Sequence, residues 1–188
     1  MTMTNTAEAH HLDRWMTTAE IRQQPAVWRQ LAGTIDQDAA AIRSWLTARD
    51  HDEIWFCGAG TSAFIGETLA QYLNGAEGGS RFRAIATTDF VSSPRRFLRD
   101  GVRLLVVSFG RSGNSSETVG MLDLLRKHAP DADKLNITCN AESALGVDVA
   151  TEGGELRGII LPPETNDRGF AMTSSYSSML LTALACFD

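Results

Sequence analysis

The stretch Ser108-Phe109-Gly110-Arg111-Ser112-Gly113-Asn114-Ser115-Ser116-Glu117-Thr118 decides how this chain folds. Ahead of it runs Val102-Arg103-Leu104-Leu105-Val106-Val107, a short apolar run rich in β-branched residues and bounded by Asp100-Gly101. Behind it, Val119, Met121, Leu122, Leu124 and Leu125 recur at the spacing of one helix face. The order is strand, Ser/Gly loop, helix start. A helix start leaves backbone N–H groups unpaired and carries partial positive charge, which suits a phosphate. The hydroxyls of Ser108, Ser112 and Ser115 add donors that ask little of pH or metal. The plainer reading is a helix N-cap at Asn114 or Ser115 with incidental serines. One cap needs one hydroxyl, and this loop offers several.

The same grammar extends outward. Glu53-Ile54-Trp55-Phe56-Cys57 reads as a first strand ending at Gly58-Ala59-Gly60-Thr61-Ser62, with a helix through Phe64, Leu69 and Tyr72 closing at Asn74-Gly75. Arg81 to Ala86 is a second strand leading into Thr87-Thr88-Asp89-Phe90, and a short helix around Pro94 to Leu98 connects it to the third, Val102 to Val107. Beyond Pro130, Lys134 to Cys139 and Leu156 to Leu161 are the fourth and fifth. Alternating strands and helices predict an α/β fold, a five-stranded parallel sheet flanked by helices. Ligands of such sheets bind beyond the strand carboxyl ends, near the switch point. Both hydroxyl-bearing loops fall there.

Residues 1–16 read as a polar tail, in which the pair His10-His11 is solvated rather than metal-binding. Thr17-Thr18-Ala19-Glu20 has capping-box spacing and predicts a short helix ending at Gln24, with Pro25 as first residue of the next. There Trp28, Leu31, Ile35, Ile42, Trp45 and Leu46 repeat at helical spacing, a packing face against the domain or a second copy. Residues 17–50 are thus an N-terminal helical extension, and 51–188 the α/β domain. The last helix starts well capped at Thr173-Ser174-Ser175 but reaches Asp188 through apolar residues without cap or glycine. A further domain beyond residue 188 and a homo-oligomer are the expectations from these faces.

The chain has 188 residues, 43% hydrophobic and 21% charged, enough for one α/β domain and short for two. Its net charge of -6 argues against a nucleic-acid partner. Arg95-Arg96 with Arg99 reads as a solvated helix face. The three cysteines, Cys57, Cys139 and Cys186, lie in apolar segments without ligand spacing, so they read as reduced core thiols of a cytoplasmic protein. No signal segment or membrane-length apolar run is present in the sequence, so no membrane partner is expected.

Gly58-x-Gly60-x-x-Ala63 fits the dinucleotide fingerprint. That reading wants an acidic residue ending the second strand, and Asp89 comes late for it. It also leaves the second loop unexplained. Two hydroxyl-lined loops closing on one point fit a compact monophosphate better than an extended pyrophosphate.

With Gly58-Ala59-Gly60-Thr61-Ser62 and Ser108-x-x-x-Ser112-Gly113-Asn114-Ser115, the sequence resembles the SIS (sugar isomerase) domain family. Thr88-Asp89-Phe90, Pro163-Glu164 and Gly169-Phe170-Ala171-Met172-Thr173 also look like family positions, so the likeness covers most of residues 53–187. Within the family it is most similar to the AgaS-type tagatose-6-phosphate ketose/aldose isomerases, also described as galactosamine-6-phosphate deaminase/isomerases, over their amino-terminal half. The resemblance implies a Rossmann-like fold and a hexose or hexosamine 6-phosphate held by Gly60, Thr61, Ser62, Ser108, Ser112, Asn114 and Ser115. The family loop is commonly shorter than this one, which inserts Phe109-Gly110-Arg111 between serines. Arg111 either reaches the phosphate as a charge-assisted donor or faces solvent.

The implied chemistry is proton transfer through an enediol or enolamine, with neither metal nor other cofactor. Glu164, after the fifth strand, is the candidate base; the alternative is a loop carboxylate near a helix N-terminus. In two-domain relatives the acid and base come largely from the second domain or a neighbouring subunit. A non-catalytic phosphosugar sensor is the other reading, although no helix-turn-helix accompanies it.

Overall fold

The computed structural model describes residues 12, 14–74, 79–148 and 154–188. Five strands, β1 (Glu53–Gly58), β2 (Arg81–Ala86), β3 (Leu104–Gly110), β4 (Asp133–Thr138) and β5 (Leu156–Ile160), form one sheet in the order β2-β1-β3-β4-β5. Every neighbouring pair is parallel. The helices are α1 (Met16–Ala32), α2 (Ile35–Arg49), α3 (Thr61–Leu73), α4 (Thr87–Ser92), α5 (Ser116–His128) and α6 (Ser174–Phe187). Two single 3₁₀ turns, Pro94–Arg96 and Pro163–Thr165, complete the order. His10-His11, nearly all of the polar tail and Gly75 lie outside the described residues.

Alternation along the strands makes two apolar layers, because successive side chains leave opposite faces of a sheet. Ile54 and Phe56 of β1, Leu105, Val107 and Phe109 of β3, and Leu135 and Ile137 of β4 pack with α1, α2, α3 and α6. Trp55, Cys57, Leu104 and Val106 face the other way, against Phe90 of α4 and Met121 and Leu125 of α5. With both faces covered, the central strands carry unbroken apolar runs.

Several element boundaries differ from the sequence reading, each for a tertiary reason. β3 runs on through Ser108, Phe109 and Gly110, because β1 and β4 flank it and pair with these residues too. The stretch read as loop from Ser108 therefore becomes loop at Arg111. In the N-terminal extension, α1 does not stop at Gln24: it continues through Pro25 to Ala32. Proline cannot donate to the carbonyl of Ile21, and the Gln24 Nε2 amide donates to it instead at 3.4 Å. The break falls later, where the Gly33 N–H donates to the Gln30 carbonyl and the Thr34 N–H to that of Leu31, and α2 begins at Ile35.

The capping box is also overturned. Trp15, not Thr17, is the N-cap of α1, and Glu20 turns inward to another part of the chain. Thr87 to Ser92, read as a connection, is a short helix that seats Phe90 edge-on to Trp55, ring centroids 5.9 Å apart. The repeat from Leu31 to Leu46 packs within the domain: Leu31, Ile42 and Trp45 are buried in the layer that contains α6. Trp28 is partly exposed and donates from Nε1 to Ser177 Oγ at 3.0 Å.

Candidate phosphosugar site

β1 has β2 on one side and β3 on the other, so the switch point of the sheet lies between the carboxyl ends of β1 and β3. Gly58 at the end of β1 is level with Phe109 of β3, which brings the two following loops face to face. Each loop is shaped by a glycine that an L-residue would strain. Gly60, at the N-cap of α3, has φ +57°. Gly113 has φ +64°, and a Cβ there would come within 2.3 Å of Ser143 Oγ.

The loops enclose a cleft of about 130 Å³ whose lining includes Ser62, Arg111, Ser112, Ser115, Thr118 and Met172. Typical small-molecule pockets run to roughly 300–1,000 Å³, so this one suits an anchoring group rather than a whole hexose. Ser62 is buried on the first turn of α3, with its Oγ 3.7 Å from Met172 Sδ. Ser112 is exposed. Ser115 is the N-cap of α5: its Oγ accepts the Thr118 N–H at 3.1 Å and lies 3.0 Å from Thr118 Oγ1. The plain capping reading thus holds for Ser115. Arg111 is half-buried, its guanidinium turned to donate to the Gly169 carbonyl at 2.9 Å.

Other candidates stand outside this lining. Gly60 and Thr61 are exposed at the start of α3, beside Ser62. Ser108 is buried within β3 and so belongs to the sheet rather than to the loop. Asn114 buttresses the loop from behind, its Oδ1 accepting the Ala144 N–H at 2.7 Å. Glu164 is exposed on the second 3₁₀ turn, and its backbone carbonyl accepts from Gln23 Nε2 at 2.9 Å. Thr118 and Glu20 had escaped the sequence reading. Thr118 is detectable as the third residue after a serine N-cap; Glu20 carried the misleading signature of a capping box.

The helix-start geometry of α6 was also missed. Thr173 and Ser174 read as its cap, yet the capping carboxylate is Asp167, buried and seven residues ahead of the helix. It accepts from the backbone N–H groups of Thr173, Ser174 and Ser175 and from the hydroxyls of Thr173 and Ser175. Burial pushes the Asp167 carboxyl up, but these hydrogen bonds outweigh it and hold it below the ordinary carboxylate range.

A larger cleft, about 490 Å³, lies at the opposite edge, where the strands begin. Several of the charged groups that line it are held in ion pairs or hydrogen bonds. Glu53 pairs with Arg83 at 3.0 Å and Arg99 at 3.3 Å, and His51 Nε2 lies 2.8 Å from Asp133 Oδ2. Parallel sheets bind ligands at their carboxyl ends, so the smaller cleft is the candidate site. Among the described residues, no three His, Cys, Asp or Glu side chains are grouped to hold a metal ion, and no helix is long and apolar enough to cross a membrane.

The parallel sheet and its two carboxyl-end loops point to a class: the chain is similar to phosphosugar isomerases and deaminases with the SIS (sugar isomerase) domain. Within that class it is similar to AgaS. The D-galactosamine-6-phosphate deaminase AgaS of Escherichia coli O157:H7 is 40% identical over 174 residues, 91% of this chain and 45% of that protein. Its counterpart from Shewanella sp. strain ANA-3 is 39% identical over 178 residues, again 91% of this chain and 45% of that protein. The crystal structure of tagatose-6-phosphate ketose/aldose isomerase from Escherichia coli superposes with a TM-score of 0.83 at 39% identity, covering 93% of this chain and 48% of that one. This chain therefore spans about half the length of the curated relatives it aligns with. No family model matches it.

Proposed function

We propose that this chain binds a hexose or hexosamine 6-phosphate and serves an aldose–ketose isomerase that also deaminates amino-sugar phosphates. The observation that carries this reading is the convergence of Ser62, Arg111, Ser112 and Ser115 on one small cleft beside the starts of α3 and α5. Hydroxyls, a guanidinium and the partial positive charge of two helix starts together form an anion cradle. Gly60, Thr61, Ser108 and Asn114 shape it or flank it. The names borne by the similar proteins, each that of an enzyme on a phosphorylated sugar, support catalysis over a non-catalytic sensor.

In the proposed reaction a base removes the proton from the carbon beside the carbonyl or imine of the open-chain sugar. The electron pair shifts to give an enediol or enolamine, and an acid returns a proton one carbon along. From a 2-amino sugar the product is a ketimine, which adds water and expels ammonia to leave the ketose phosphate. Glu164 is our candidate base within this chain. The buried, reduced cysteines are in keeping with a cytoplasmic setting.

Thermal stabilisation tests the reading, since a ligand that binds only the folded state raises the melting temperature. Hexose and hexosamine 6-phosphates should raise it, free sugars and NAD should not, and Ser112→Ala with Ser115→Ala should abolish the shift. Ammonia release from galactosamine 6-phosphate then tests catalysis, with Glu164→Gln as the control for the base. A shift with NAD and none with sugar phosphates would instead support a nucleotide-binding domain.

A further inference from the structure

Glu20 belongs to α1, far in sequence from the candidate site, and only 7% of it is exposed. Its Oε1 accepts the backbone N–H of Arg168 at 2.6 Å and of Gly169 at 2.9 Å. Its Oε2 is buried and has no hydrogen-bond partner among the described residues. A buried carboxylate with one orphaned oxygen costs stability, so its position wants a reason beyond packing. The reason is on the far side of Gly169. There the carbonyl of the same residue accepts from Arg111 Nη1 at 2.9 Å, and Arg111 lines the cleft.

Residue 169 is thus gripped from both sides, and tightly. A Cβ at this glycine would come within 2.7 Å of Glu20 Oε2 and 2.9 Å of Thr17 Oγ1, so only a hydrogen fits between the turn and α1. A second tie runs in parallel, from Ser174 Oγ to the Glu20 carbonyl at 2.9 Å. A guanidinium has five N–H donors in a rigid plane, and fixing one of them on a carbonyl fixes the direction of the rest.

We propose that Glu20 is a positioning residue for the anchoring end of the site: it pins the turn at 168–169 so that the Gly169 carbonyl holds the Arg111 guanidinium over the cleft. The inference rests on the reading of that cleft as a phosphosugar cradle. It deepens that reading by making α1, a helix of the N-terminal extension, part of the binding apparatus. It also decides between the two orientations open to Arg111 in favour of the cleft.

A double-mutant cycle on the 188-residue chain tests this, with affinity for galactosamine 6-phosphate as the readout and free galactosamine as the control. Arg111→Ala should weaken binding about tenfold or more, the scale of a charge-assisted contact to phosphate. Glu20→Ala should weaken it by about five- to tenfold, and the double variant should bind no more weakly than Arg111→Ala alone. Glu20→Gln, whose amide oxygen can accept both N–H groups, should bind within about threefold of the unmodified chain. Should Glu20→Ala not fold, Gly169→Ala replaces it, because the added methyl must displace Glu20; the same loss and the same absorption by Arg111→Ala are expected. Unaltered affinity in both variants, or losses that add to that of Arg111→Ala, would overturn the role of Glu20, while loss of binding on Ser112→Ala with Ser115→Ala would leave the cradle standing. Absence of binding to any sugar phosphate by the unmodified chain would overturn the cradle, and this proposal with it.

Discussion

Asp167 meets Ser175 twice: one carboxylate oxygen, Oδ2, accepts the Ser175 backbone N–H at 2.8 Å and its hydroxyl at 2.6 Å. Together with Thr173 and Ser174 this makes a buried cap for α6, the helix that packs between the N-terminal extension and the sheet. A cap of this kind couples the loop after β5 to the helix that covers it.

That coupling predicts an acid-sensitive contribution to stability. The folded-state pKa of Asp167 is depressed, so its stabilisation is present above the ordinary aspartate value of about 4 and is lost as pH falls through the lower, folded value. Asp167→Ala should cost about 2–4 kcal/mol at pH 7, since it strands buried donors at a helix start. Urea unfolding at pH 7 and near pH 3 should show the variant's deficit shrinking with acid.

Ser112 and Ser115 should separate by stability although both line the cleft. Ser115→Ala removes the N-cap of α5 and should cost about 1 kcal/mol with no ligand present. Ser112 is exposed, and Ser112→Ala should change stability by less than about 0.5 kcal/mol. Chemical denaturation without ligand, followed by the sugar-phosphate melting shift, distinguishes the two contributions.

Gly113→Ala should be severe for two separate reasons. The φ of +64° is costly for an L-residue, and the new methyl would meet Ser143 Oγ at 2.3 Å. A loss of about 2–4 kcal/mol is expected from strain and overpacking together. Pairing it with Ser143→Gly should recover only the steric part, measured as a partial return of the unfolding midpoint.

The thiols should be silent in the folded chain. Burial pushes Cys139 up to about 11 and Cys186 to about 12, and drives Cys57 higher still. At pH 8 a thiolate-directed reagent should label none of the three until denaturant is added, and then all three. Rapid labelling under native conditions would show that one of these side chains is reached by solvent.

The sequence alone determined the strand runs, the parallel sheet and the two loops at its carboxyl edge. Those signals are local: Ile54 to Cys57 and Leu104 to Val107 are apolar because both of their faces are covered, and Gly60 and Gly113 stand where the chain must turn. Boundaries were less legible. Pro25 reads as a helix start until Gln24 is seen serving the carbonyl that proline cannot. Thr17 to Glu20 carries the letters of a capping box, whereas Glu20 bonds to a turn nearly the whole chain away. Asp167 likewise caps a helix that begins seven residues later. Glu20 and Asp167 both serve backbone N–H groups outside their own turns, because an unsatisfied buried N–H costs more than an unmade local bond. Tertiary structure alone decided which hydroxyls share a cleft, and that Arg111 is steered by a helix outside the sheet. These depend on distances between loops that no spacing along the chain encodes.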